Sequence, residues 1–313
     1  MRYIHYLFLI LIPLLISCDP PDEPTTDLYP YLVVDWKFSD ADVAVFSKRM
    51  AITNDNSAVY YCGERTSGFE YDIFKRKLTY SDDLIQVTAT GNEPWDGGAY
   101  SMDVDGIGEV FYHRAGEFAP DSIRHYIVRA GANTIEGSPA PEVKYSFDGT
   151  LVGFKAFRGD QADYFSVSSD ALVFMIGWDD TGFHYMNFRD GEPTVIDLPT
   201  AVEAVVRPDG TSYVYVDGSS NIYLNSTLLN SPMLIGNGRY VSVSSNDKIA
   251  YVKDELFRVY DVNTQETMVF YPPKNVANVN QLMNSTISED GLHVAIRVWD
   301  PSDSDVIVCS IPQ

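Results

Sequence analysis

The chain has 313 residues, with 44 Asp and Glu against 22 Lys and Arg, so its formal net charge is −22. This excess of acid argues against nucleic acid as a partner, because phosphate binding needs clustered Lys and Arg. With 45% apolar residues, 21 Tyr, 16 Phe and 4 Trp, the composition excludes a disordered acidic tail and suits one large all-β domain or two ordinary domains.

The N-terminus is typical of a targeting segment. Arg2 precedes an apolar run over residues 3–16, which is shorter than the roughly 20 residues of a membrane-spanning helix. The run ends in Leu-Ile-Ser-Cys at 15–18, with an aliphatic residue three positions before Cys18 and a small residue directly before it. This pattern resembles the lipobox of bacterial lipoproteins. An ordinary secretory signal with a chance Cys is the alternative.

The lipobox resemblance implies a signal peptide over residues 1–17 and a lipidated Cys18 that holds the protein on a membrane of the bacterial cell envelope. More than one acyl chain, palmitate included, gives stable anchoring. Asp19 resembles an inner-membrane retention signal that only some lineages obey, so inner and outer membrane both stay open. Residues 19–30 contain four acids, four Pro and no Lys or Arg, which predicts an extended acidic tether over 18–30.

A turn pattern recurs through the rest of the chain. Short apolar or aromatic runs follow an acid in a turn that suits a β-hairpin, since Gly or Asn accepts positive φ and Asp caps its own backbone. The clearest copies are Ser-Phe-Asp-Gly at 146–149, Arg-Pro-Asp-Gly at 207–210, Ser-Glu-Asp-Gly at 288–291 and Asp-Val-Asp-Gly at 103–106, with weaker copies at 54–57, 168–170 and 244–247. A period near 40 residues is enough for four short strands, and one such set is predicted at 240–243, 249–252, 256–261 and 267–271.

The repeat resembles the TolB-like and WD40-like β-propeller families, and the likeness covers residues 31–313. It implies an all-β propeller of six or seven four-stranded blades, one of them trimmed. Seven is favoured because Asp170 matches Asp247 in its surroundings. The last unit lacks one strand, so we expect an N-terminal strand from 31–38 or 43–46 to close the ring. A jelly roll or sandwich is the alternative.

Two cysteines remain after lipidation. Cys62 and Cys309 fall in the first and last predicted units. Export permits a disulfide, but stacked sheets lie farther apart than a disulfide allows, so we expect no disulfide and two buried thiols.

Acid clusters suggest calcium, which binds several oxygen ligands in a flexible loop. Asp300, Asp303 and Asp305 lie in one six-residue loop. Because the spacing departs from that of a complete calcium loop, solvated hairpin turns are the simpler interpretation, and calcium is the one cofactor considered.

Loop aromatics suggest a binding face. Trp95 and Trp178 lie in turn-like segments and are the candidate binding residues, whereas Tyr60, Tyr213 and Tyr251 lie at strand positions where packing between sheets is expected.

These observations predict a membrane-anchored envelope lipoprotein whose propeller is a non-catalytic binding or scaffold module for a protein or saccharide partner. The alternatives are a hydrolase or lyase with its site in the propeller channel, and a calcium-stabilised structural lipoprotein. No catalytic residue is assigned, because no nucleophile motif is present and the His residues lack metal-ligand spacing.

Overall fold

The computed structural model of the chain describes residues 27–38, 43–45, 49–65, 71–79, 84–88, 102–119, 122–130, 142–147, 164–178, 182–190, 194–226, 231–274, 276, 282–300 and 303–313. Within these ranges the chain forms β-strands and no helix. Accordingly, the described ranges contain no helix long and apolar enough to cross a membrane.

Five antiparallel sheets have four strands each, and four of them take their strands consecutively from the chain. Sheet 2 comprises β7 (Met102–Val104), β8 (Val110–Ala119), β9 (Ser122–Ala130) and β10 (Glu142–Phe147). Sheet 3 comprises β11 (Tyr164–Val167), β12 (Val173–Trp178), β13 (Gly182–Asn187) and β14 (Thr194–Leu198). Sheet 4 comprises β15 (Ala201–Val206), β16 (Ser212–Asp217), β17 (Asn221–Ser226) and β18 (Met233–Asn237). Sheet 5 comprises β19 (Arg239–Val243), β20 (Lys248–Lys253), β21 (Leu256–Asp261) and β22 (Thr267–Phe270).

Sheet 6 joins the two ends of the chain. It comprises β23 (Leu282–Ile287), β24 (His293–Asp300), β25 (Asp303–Ser310) and, at its outer edge, β1 (Val33–Phe38). Val33 lies opposite Ser310 and Phe38 lies opposite Val306. The expected closure by an N-terminal strand is therefore confirmed, with β1 as the closing strand.

Sheet 1 has five strands because its first strand is interrupted. It comprises β2 (Val43–Val45), β3 (Ala51–Ile52), β4 (Ala58–Arg65), β5 (Tyr71–Lys77) and β6 (Leu84–Gln86). Both β2 and β3 pair with β4, β2 opposite residues 63–65 and β3 opposite residues 59–60, while β5 takes the other edge. The two short pieces thus share the edge that a single first strand occupies in the other sheets.

Apolar cores lie between successive sheets and arrange them in a ring. Buried residues of sheets 1 and 2 pack together, and the same holds for sheets 2 and 3, 3 and 4, 4 and 5, 5 and 6, and 6 and 1. Tyr60, Tyr213 and Tyr251 are buried in these cores, as expected. The first strands of the sheets face the centre, and each contacts its neighbours around the ring.

The expectation of six or seven four-stranded blades is corrected: five of the described sheets have four strands, and the remaining sheet of the ring, sheet 1, has five. An arrangement of seven blades requires the Ser-Phe-Asp-Gly pattern at 146–149 to start a unit of its own. Its first two residues, Ser146 and Phe147, lie in β10, which is the outer edge strand of sheet 2 rather than a first strand. A turn pattern alone does not show which hairpin of a sheet it closes, and this is the physical reason for the error.

In each described sheet an equivalent turn leads out of the inner edge strand, and we call the side of the ring on which these turns lie the turn face. Turns 1 to 6 comprise residues 53–58, 105–109, 168–173, 207–212, 244–248 and 288–293. Turn 6 shows the geometry: the Ser288 hydroxyl donates to Asp290 Oδ1 at 2.5 Å and accepts from the His293 N–H at 2.9 Å. Turn 3 repeats it with Ser168 and Asp170.

In turns 2 and 5 the residues that are equivalent between repeats differ from those expected from the sequence. In turn 5 the Ser244 hydroxyl donates to Asn246, so Asn246 is the residue equivalent to Asp170. The expected equivalence of Asp170 and Asp247 is therefore wrong by one residue. In turn 2 Asp105 itself stands in the place of the Ser, since it accepts the Glu109 N–H at 2.8 Å.

Candidate binding site

Hydrogen bonds and one ion pair link the six turns around the turn face. Turn 1 contacts turn 2, turn 2 contacts turn 3, and turn 3 contacts turn 4, through Asn54 Nδ2 to Gly106 O (2.8 Å), Gly106 N to Ser169 O (3.0 Å) and Ser169 N to Pro208 O (2.7 Å). The ring continues through an Arg207–Asp247 ion pair, Asn246 Nδ2 to Asp290 O (2.8 Å) and Asn56 Nδ2 to Asp290 Oδ2 (2.6 Å). The turns therefore form one continuous rigid rim around the channel.

Glu289 reaches across the centre of this rim. The Ser169 hydroxyl donates to Glu289 Oε1 at 2.5 Å, so turn 6 contacts turn 3 on the opposite side of the ring. Burial raises the pKa of Glu289, and the nearby carboxylates of Asp103 and Asp105 raise it further. The mouth of the channel is thus narrowed by a side chain that is costly to ionise.

Polar side chains on the first strands join neighbouring sheets inside the channel. Asp103 Oδ2 accepts the N–H of Val167 in the next sheet at 3.0 Å, and Glu203 Oε2 accepts the N–H of Tyr240 at 2.6 Å. Burial raises the pKa of both carboxyls, while Arg49 lies 3.4 Å from Asp103 and partly offsets the effect there. These acids are engaged in holding sheets together.

The channel has little free space. Its two described cavities have volumes of about 20 Å³ and about 40 Å³, which suffices for one or two water molecules. Small-molecule sites usually need several hundred Å³. Each of these two described cavities is far smaller than that.

An open groove lies on the turn face, between sheets 2 and 3. This apolar groove has a volume of about 470 Å³. Its floor is aromatic: Phe174 lies 6.0 Å from Phe111 and 5.8 Å from Phe188, ring centre to ring centre. At its rim Ile107 is 78% exposed and Leu172 is 42% exposed. The other described lining residues are Asp105, Glu109, Ile127, Arg129, Asp170 and Ala171.

The backbone of turns 2 and 3 gives the groove its shape. A Cβ on Gly106 would lie 2.9 Å from Ser169 O, so only glycine allows the two turns to approach this closely. Gly108 has a φ of +83°, a conformation that glycine adopts without strain. Together these glycines hold Ile107 outward between the turns.

Charged side chains border the groove in pairs. Arg129 lies 3.1 Å from Glu109, and Arg189 lies 2.7 Å from Asp170. Asp105 adds a carboxylate for which no cation partner is described, and burial raises its pKa. The border therefore carries a small excess of negative charge around an apolar floor.

A second, polar pocket of about 340 Å³ adjoins the groove between sheets 1 and 2. Ile107 lines both openings and separates them. In the polar pocket Lys75 Nζ lies 5.2 Å above the Tyr60 ring, and burial lowers the pKa of Lys75. The two openings make one composite surface with an apolar half and a polar half.

The residues predicted from sequence lie elsewhere. Trp178 ends β12, at the end of sheet 3 remote from the turn face, and its side chain lies outside what is described, as does the whole of Trp95. Asp300, Asp303 and Asp305 lie at the equivalent remote end of sheet 6, where their side chains are likewise not described. Among the residues whose side chains are described, no group of three or more His, Cys, Asp or Glu forms a metal site.

The two remaining cysteines are free thiols. Cys62 is buried between sheets 1 and 2, whereas Cys309 is buried between sheets 5 and 6. Burial raises the pKa of the Cys309 thiol to about 12. They point into different cores although sheets 6 and 1 are neighbours. Cys18 lies outside the described residues.

Sequence reasoning missed Ile107, Leu172 and Phe188. A signal was present: Ile107 and Leu172 are large apolar residues within turns, where polar residues are usual. Leu172 lies beside Phe188 within sheet 3, but the place of Ile107 next to them depends on the approach of sheets 2 and 3, which no local pattern predicts.

Comparisons with known proteins bear on the fold. No protein-family model matches the chain, and no curated protein matches it. Among solved structures, a WD40-type propeller chain from the "Crystal Structure of Mitotic Checkpoint Complex" matches with a TM-score of 0.55 and 11% identity, over 100% of both chains. At this identity the likeness shows the fold alone: an all-β, propeller-like arrangement of small antiparallel sheets. The WD40-like part of the expected resemblance is confirmed at that level.

Proposed function

We propose that the protein is a membrane-tethered binding module of the bacterial envelope, and that its turn face holds a segment of a partner protein. The observation that supports this most is the contrast between the apolar groove of about 470 Å³ and channel cavities of about 20 Å³ and about 40 Å³. A rigid rim with an exposed apolar opening suits partner binding, whereas a catalytic site in the channel needs room for a substrate.

The lining indicates the chemistry of that segment. Phe111, Phe174 and Phe188 offer apolar surface, while the acids at the border and the net charge of −22 favour a positively charged approach. We therefore propose a segment that places an apolar side chain in the groove beside Lys or Arg. A protein is favoured over a saccharide because the floor offers few groups that hydrogen-bond to hydroxyls.

The tether belongs to the same proposal. Its support is the Leu-Ile-Ser-Cys pattern at 15–18 and the acidic, Pro-rich residues that follow. A lipidated Cys18 restricts the propeller to the membrane surface, which raises its effective concentration for a partner in the same compartment.

The test uses a photoreactive amino acid placed at Leu172 or, as a matched control, at Leu292. Each leucine follows the acid of its turn and donates its N–H to that acid, and their exposures are 42% and 40%. Leu292 lies in turn 6, away from the groove. In intact cells we expect a discrete protein crosslink from position 172 and none of that product from position 292.

Two further results decide the proposal. Mass spectrometry of the crosslinked peptide is expected to show an apolar residue flanked by Lys or Arg, and Asp in place of Phe188 is expected to abolish the product. The same product from both positions, or persistence of the product in Phe188→Asp, contradicts a site in the groove. A saccharide captured at position 172 contradicts the proposed partner class.

A further inference from the structure

The chain is fastened to the propeller before β1 begins. Residues 27–32, which we call the N-terminal clamp, pair with the end of sheet 5: Tyr271 N donates to Pro30 O at 2.9 Å, and Leu32 N donates to Tyr271 O at 3.1 Å. Tyr31 forms a parallel bridge with Tyr271. Leu32 is 2% exposed and belongs to the core between sheets 5 and 6.

Side chains extend the clamp to Asp27. The rings of Tyr29 and Tyr31 lie 5.6 Å and 5.0 Å from that of Tyr271, centre to centre. Lys274 Nζ lies 2.9 Å from Asp27 Oδ2 and 4.1 Å above the Tyr31 ring. The described chain therefore begins at the boundary between sheets 5 and 6, and we call this place the exit point.

The exit point and the apolar groove lie on opposite sides of the ring. The cores show that sheets 1 to 6 follow one another around the ring and that sheet 6 packs on sheet 1. Counted in either direction, three steps lead from the boundary between sheets 2 and 3 to the boundary between sheets 5 and 6. In a closed ring of six sheets this is the diametrically opposite place.

We propose that the propeller stands edge-on at the membrane, with the boundary between sheets 5 and 6 towards the bilayer and the groove pointing away from it. This inference rests on the lipid anchor proposed above. Residues 18–26 span at most about 30 Å even when fully extended. A domain of this size is roughly 50 Å across, so the anchor holds the exit side closer than the groove side. The charge of −22 also opposes lying flat on anionic lipid.

The orientation is testable with two fluorescent labels on the turn face. The protein, purified from membranes with its lipid, is labelled at Leu172→Cys or Leu292→Cys and reconstituted into vesicles of neutral and anionic phospholipid that carry a headgroup quencher. Cys62 and Cys309 are buried, so they do not compete for the label. Because the two sites match in exposure and local geometry, they differ mainly in distance from the exit point.

We expect at least twofold stronger quenching at position 292 than at position 172. A flexible insertion of 20 residues between Thr26 and Asp27 is expected to reduce this difference while the protein stays on the vesicles. Equal quenching at both positions indicates a propeller lying on its turn face and overturns the proposal, as does stronger quenching at position 172. If Cys18→Ser protein floats with vesicles as the native protein does, the lipid anchor itself is refuted, independently of the crosslinking result.

Discussion

Acidic residues of the turn face and acidic residues of the channel have pKa values that are shifted in opposite directions. Asp55 accepts hydrogen bonds from Ser57 and Thr53, and these lower its pKa. Burial alone would raise the pKa of Asp290, but the Ser288 hydroxyl and other donors outweigh it and the pKa is lowered. In the channel, burial dominates for Asp103, Glu203 and Glu289, and their pKa values are raised.

The comparison shows that the acids behind the net charge of −22 do not all affect the free energy of unfolding in the same direction. A turn acid with a lowered pKa contributes stability above its unfolded pKa near 4, and the contribution is lost as the pH falls through the folded pKa. A channel acid with a raised pKa contributes fully below that unfolded pKa, and the contribution is lost as the pH rises through the folded pKa. At neutral pH the turn acids with a lowered pKa, such as Asp55 and Asp290, therefore stabilise the ring, while ionisation of the channel acids reduces its stability.

The largest effect is expected from Asp290→Ala, which breaks the rim between turns 6 and 1. The change removes acceptors for Ser288, Leu292 and Asn56, each within 3.0 Å. We expect a loss of about 3 kcal/mol in the free energy of unfolding at pH 7, since each of the three hydrogen bonds contributes about 1 kcal/mol at this partly exposed site. Urea unfolding measures it. Asp290→Asn is the control, because Asn246 already occupies this place in turn 5, and an unchanged Asp290→Ala protein would contradict the role of the rim.

An effect of opposite sign is expected from Glu289→Gln. The amide oxygen still accepts the Ser169 hydroxyl, while the desolvated charge and its repulsion by Asp103 and Asp105 are removed. We expect a gain of about 1 kcal/mol at pH 7, because the buried and repelled carboxylate is costly to ionise in the folded state. Thermal unfolding at a series of pH values checks this, because the gain should vanish below about pH 4. A loss of stability at pH 7 would mean that the ionised carboxylate holds the rim together.

The smallest effect is expected from Asp209→Ala in turn 4. Asp209 has the same turn position but is exposed, and Arg207 stands where turns 1, 3, 5 and 6 have Ser or Thr. Its carboxylate accepts only from Thr211 among the hydrogen bonds described here. We expect a change of at most about 0.5 kcal/mol in urea unfolding, as for most surface substitutions. A loss as large as that of Asp290→Ala would show that the turn position matters rather than the links between turns.

Local patterns in the sequence were sufficient to predict strands and hairpins. The strands predicted at 240–243, 249–252, 256–261 and 267–271 correspond closely to β19–β22, because alternating apolar residues between turn residues depend only on neighbours in the chain. The closing strand was also predictable, since the last unit lacked one strand. The place of each turn pattern within a sheet could not be predicted. Ser146 and Phe147 of the pattern at 146–149, for example, lie in the outer strand β10 and not next to a first strand.

The candidate site was not predicted from sequence. The predicted Trp178 lies at the end of sheet 3 remote from the turn face, while the groove is lined by Ile107, Leu172 and Phe188. Ile107 belongs to sheet 2, whereas Leu172 and Phe188 belong to sheet 3, so their proximity depends on how closely turns 2 and 3 approach at Gly106.

The sequence by itself determined the all-β class, the repeating acid-bearing turns and the N-terminal lipobox pattern, because each depends on residues within a few positions of one another. Only the tertiary structure decided which acids are stabilising, where the apolar groove opens and that the N-terminal clamp lies across the ring from it. The physical reason is that burial, pKa and proximity arise from contacts between sheets, and the closure of the ring sets those contacts.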